Sequence, residues 1–161
     1  MRVEVDISKV VPVALMKGDD AEETAELKKM LEQASAYLKS FSWVRDIKAA
    51  YLGIGVLKVL AVFLFEIVPS RKDVDDKVWV IVGDLPSAYI TAEDSPNPAT
   101  ALDSYIGAME QWVAAAKKGG SVEKMIPVNV PPTPENAKRL ESRLSFLDKE
   151  ILSNYADDLA D

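Results

Sequence analysis

Residues 56–68 read VLKVLAVFLFEIV, and this run limits the fold more than any other stretch of the chain. A strand with one wet face alternates apolar and polar residues, whereas a strand covered on both sides is apolar at nearly every position. Only Lys58 and Glu66 carry charge here. The pattern therefore predicts a central strand with a layer packed on each face. A membrane span explains the run less well. The wider apolar stretch, Leu52 to Val68, is short for a helical crossing, contains both charges, is rich in Val, Ile and Phe, and is broken by Gly53 and Gly55.

The flanking segments extend this into a sheet. Residues 43–52, WVRDIKAAYL, place Trp43, Ile47 and Tyr51 among alternating partners, and Gly53-Ile54-Gly55 can turn the chain. After a charged loop at 69–77, VWVIV at 78–82 is again apolar on both faces; Gly83-Asp84-Leu85-Pro86 then interrupts, and SAYIT at 87–91 resumes. Together these segments predict an antiparallel meander over about 43–91, bent or bulged near Gly83 and Pro86. At the N-terminus, RVEVDI at 2–7 alternates as a half-exposed strand. VVPVALM at 10–16 holds Pro12, which cannot donate to a ladder and so suits an edge.

Helices are expected on either side of the meander. Asp19 or Asp20 can cap the first, with Glu22 or Glu23 as the capping-box acid; Leu27, Met30, Leu31, Ala34, Leu38 and Phe41 give its apolar stripe over about 20–40. Asn97 followed by Pro98 is a second helix start, and Gly119 suits its left-handed end. Thr133-Pro134 repeats the cap-then-proline signal for a third helix over about 134–155, carried by Ala137, Leu140, Leu144, Leu147, Ile151 and Tyr155. That spacing could serve a coiled-coil seam, but it lasts about two heptads, so packing on the home sheet is preferred. The acidic tail, 155–161, is expected to fray. Strands grouped between helices define an α+β fold, and 161 residues fit one domain, 1–161.

Composition narrows the chemistry. The chain has no Cys and no His, which removes the thiolate nucleophile, the imidazole base, the Ser-His-Asp triad and Cys/His zinc or haem ligation. No glycine-rich phosphate loop is present, since GIG at 53–55 lacks a third glycine and precedes a strand. No cofactor is expected. Asp73, Asp75 and Asp76 alternate as in a calcium loop, but the sixth position is Val78 where that loop needs Gly, and Lys77 opposes metal charge. The net charge of −7 argues against nucleic acid, and the largest basic clusters are pairs such as Lys138-Arg139, read as solvated surface. Glu4 and Asp6 interrupt any export-signal pattern, so the expected compartment is the cytoplasm, with no membrane partner.

Three acids stand out as candidate partner-binding residues. Asp84 interrupts a buried strand, where it serves either as turn acceptor or as a carboxylate held for a ligand or a partner's arginine. Glu93 and Asp94 lie in the proline-stiffened loop TAEDSPNP. Glu66 could pair with Asp84 as a glycosidase-like couple, but charge pairing with Lys58 or Arg45 is preferred. Trp43, Trp79 and Trp112 are expected in the core. The leading functional expectation is a non-catalytic interaction protein, accessory or inhibitory (immunity-type), that binds a basic partner. The alternatives are a small-ligand domain with its pocket between sheet and helices, and an enzyme using carboxylates or magnesium.

Overall fold

A computed structural model describes residues 5–72, 76–123, 125–126, 128 and 130–159. The apolar run does form the middle of a sheet. Five antiparallel strands follow the order of the chain: β1 (Val11–Pro12), β2 (Val44–Val56), β3 (Leu60–Pro69), β4 (Lys77–Gly83) and β5 (Ala88–Thr91). The period of two divides β3 between two cores. Leu60, Val62 and Leu64 join Trp79, Ile81 and Ala88 on one face. Ala61, Phe63, Phe65 and Ile67 join Val78, Val80 and Val82 on the other.

Helix α1 (Ala21–Lys39) covers the second face with Leu27, Met30, Ala34 and Leu38, and Asp20 caps it by accepting from the Glu23 N–H. Helix α2 (Pro98–Lys117) covers the first face with Leu102, Tyr105, Met109 and Trp112. Each buried Leu or Met among these contributes about 1.5–3 kcal/mol relative to exposure. The fold is therefore α+β: one antiparallel sheet, with one helix N-terminal to the β2–β5 meander and helices after it.

Helix α3 (Pro134–Phe146) does not pack on the home sheet as expected. It packs on α2 as an outermost layer, burying Ala137, Leu140 and Leu144. The helical path continues past Phe146 with a changed pitch: a π turn at Leu147–Ile151 and a 3-10 turn at Leu152–Tyr155. The wider turn brings both Ile151 and Leu152 inward.

Other expectations need correction. The β2–β3 turn falls on 57–59, with Lys58 at φ 63° and the Val59 N–H donating to Val56 O at 3.0 Å. Gly53 lies inside β2, at a register shift between Leu52 and Ile54. A Cβ there would sit 2.5 Å from Pro98 Cγ, so the glycine lets the start of α2 touch the sheet. The strand expected at 2–7 is not seen in its described part. Instead, Asp6 Oδ1 accepts from the N–H and hydroxyl of Ser8 and starts a 3-10 turn at Ile7–Lys9. The tail expected to fray is helical over Ala156–Leu159, with Asp158 bonded to Asn97 Nδ2 (3.1 Å) and Lys9 Nζ (2.8 Å). Asp73 and Asp75 lie outside the described residues.

Candidate functional site

Gly83 fixes the geometry of one end of the sheet. Its φ is +145°, and a Cβ would collide with Val59 O, so only glycine lets β4 close against the β2–β3 turn. The next N–H, of Asp84, donates to Val59 O at 3.0 Å. The two turns thus form one rigid ledge carrying Val59, Asp84 and Leu85. Facing it is a side of α3 written at helical spacing: Glu135, Lys138, Arg139, Ser142, Arg143 and Phe146. Between ledge and helix lies an open groove of about 730 Å³.

One ion pair joins the two walls. Arg143 Nη1 donates to Asp84 O at 2.8 Å and to Asp84 Oδ2 at 2.5 Å. The side chains are 51% and 65% exposed, so the pair sets position more than it adds stability. Phe146 is 46% exposed at the groove, unusual for a large aromatic beside three cations.

Asp84 and Glu93 do not lie on one surface. Asp84 is engaged by the chain's own arginine. Glu93 is exposed on the turn Ala92–Asp94, beyond the far end of β5, because Ala88 pairs with Ile81 and Thr91 with Val78. The side chain of Asp94 lies outside the described residues. The connector around Glu93 is tied into the fold. Trp79 Nε1 donates to Ser95 O at 2.8 Å, the Asp6 N–H to Pro96 O at 2.7 Å, and Asn97 and Thr100 close a reciprocal cap.

Glu66 and Asp84 are also separated. Glu66 pairs in register with Lys77, and Leu60 with Gly83, so Asp84, the residue after Gly83, stands seven residues from Glu66 along the sheet. At strand rise that is about 23 Å, beyond either glycosidase spacing. Glu66 accepts instead from the Tyr51 hydroxyl at 3.2 Å; burial first, then this carboxylate, raise the Tyr51 pKa above its ordinary value. Among the described residues no three acids lie close enough to share a metal ion.

Trp79 and Trp112 are core residues, as expected. Trp43 is half-buried in an aromatic cluster with Tyr37, Phe41 and Tyr89, ring centres 5.0–5.3 Å apart. Burial, and secondarily Tyr89, push the Tyr37 hydroxyl up to about 12.

Sequence reasoning read Lys138 and Arg139 as solvated surface and did not single out Arg143 or Phe146. The available signal was Phe146 itself, an aromatic off the apolar stripe and in line with the charged one. No family model, no curated protein and no solved structure matches this chain. Among the described residues no helix is long and apolar enough to cross a membrane.

Proposed function

We propose that this chain is a non-catalytic binding protein, an accessory or inhibitor subunit, that meets a protein partner through the groove between α3 and the turns at Val59 and Asp84. The observation that carries this reading is Phe146, an exposed aromatic among charged residues along a concave wall. Surfaces of this composition, an aromatic anchor within a polar rim, are the usual hot-spot arrangement of protein interfaces. A small-ligand pocket is favoured less. Such pockets enclose most of their ligand, whereas Asp84, Arg143 and Phe146 are each about half exposed or more. A cytoplasmic setting without nucleic acid or membrane remains part of the proposal.

The test is site-specific photo-crosslinking in native cells from position 142, on the exposed helix face between Arg139 and Phe146. The expected result is one dominant adduct that disappears with Phe146→Ser. A crosslinker at Glu93 serves as the control at the other end of β5. A dominant adduct from Glu93 with none from position 142 would move the interface to the acidic connector and refute the groove.

A further inference from the structure

Resting on the binding reading above, we infer that the groove receives an acidic segment of its partner carrying an apolar side chain. The first support is the charge inventory of the groove. Arg143 is matched by Asp84. Lys138 and Arg139 have no ion pair among the described residues. Glu135 is the one acid on this side of α3, and it stands in the first turn, where it complements the helix dipole. The local balance is therefore cationic on a chain whose net charge is −7. At physiological salt, charges beyond about 8 Å are largely screened, so the patch and not the whole-chain charge governs a docked segment.

The apolar element separates a peptide from a bare anion. Phe146, Leu85 and Val59 line the same groove as the cations. A phosphate would gain nothing from these residues; a peptide with an apolar side chain beside its acids would use both. The local helix geometry agrees. The π turn begins at Leu147, directly after Phe146, and turns of this type recur at functional sites. It takes Ile151 and Leu152 into the core, while the buried Leu147 still lines the floor of the groove beside Phe146. Asp84 holds Arg143 in place beforehand, so less side-chain ordering remains to be done on binding.

The test uses the full chain, labelled with nitrogen-15, and four probes: a short Glu/Leu peptide, its Glu→Lys and Leu→Ser versions, and an oligo-dT. The Glu/Leu peptide is expected to shift the amides of Leu85, Arg139 and Phe146, more strongly at low salt. Its affinity should fall about tenfold in Lys138→Glu/Arg139→Glu, the scale of losing close charge pairing. It should fall about threefold or more in Phe146→Ser. Should the double reversal misfold, Lys138→Gln/Arg139→Gln carries the same expectation with a smaller loss. Groove shifts with the Glu→Lys peptide, equal shifts with the Leu→Ser peptide or oligo-dT, or no shift with the Glu/Leu peptide would each overturn the acidic-segment inference. None of these outcomes touches the crosslink from position 142, on which the binding reading separately stands or falls.

Discussion

The two ends of the β4–β5 hairpin are built on opposite terms. At the Glu93 end, polar groups are turned inward: Trp79 bonds Ser95, Asn97 caps α2 and also holds Asp158, and Asp6 ties the N-terminal segment to Pro96. At the Asp84 end the backbone is equally fixed, through Gly83 and Val59, yet Asp84, Arg143 and Phe146 stay exposed, and Lys138 and Arg139 have no ion pair among the described residues. The first end is held by inward polar contacts; the second leaves charged and aromatic side chains exposed beside a fixed backbone turn. The sequence candidates fall at both ends, and of them Asp84 is the one the chain engages with its own arginine, a pairing that exposure of charge in sequence does not reveal.

Substitutions can break this contrast, and the largest effect should come from the closed end. Trp79→Ala removes a fully buried indole and its bond to Ser95, and chemical denaturation should show a loss of about 3–5 kcal/mol. A loss below about 1 kcal/mol would mean that this end is not a keystone. Gly83→Ala tests the rigid backbone of the open end. The added Cβ meets Val59 O, and the expected cost of about 2–3 kcal/mol should be accompanied by amide shifts at 57–60. Asn97→Ala loses the cap and the tie to Asp158, about 1–2 kcal/mol, and should raise hydrogen exchange at 156–159.

Alkaline titration gives a subtler comparison. Burial raises Tyr37 to about 12, and burial followed by Tyr37 raises Tyr105, whose hydroxyl donates to Pro86 O at 2.6 Å. Unfolded tyrosines ionise near 10.0, so above that pH the unfolded chain binds fewer protons than the folded one. Stability should be at its full value below pH 10 and fall as pH climbs through 12. Tyr105→Phe should lower stability by about 1 kcal/mol at neutral pH and flatten the alkaline decline. The smallest expected effect is Asp84→Asn. It should cost about 0–1 kcal/mol in a melt, because the ion pair is exposed. A larger loss would make the groove wall structural.

Local signals carried the architecture well. The cap and proline at Asn97-Pro98 start α2 where they stand, and the two-faced apolar run is the central strand. Glycine misled at 53–55 because it marks both turns and close approaches, and the partner deciding between them, Pro98, lies far along the chain. The groove was illegible for a related reason. Asp84 and Arg143 are 59 residues apart, and no periodicity links a turn acid to a helix arginine. Helix α3 showed its stripe but not its layer, since an apolar face fits another helix as well as a sheet.

The irregularity of β2 has a consequence for how the protein behaves at high concentration. Its pairing with β3 shifts register at three places along Val44–Val56, and among the described residues β1 covers its outer edge only at Tyr51 and Leu52. A long, flat, uncovered edge would template strand addition from a neighbouring molecule. Repeated bulges twist the backbone so that an incoming strand cannot keep its ladder for more than a few residues. The distortions that fit β2 to its own sheet therefore also guard the protein against fibrillar self-association.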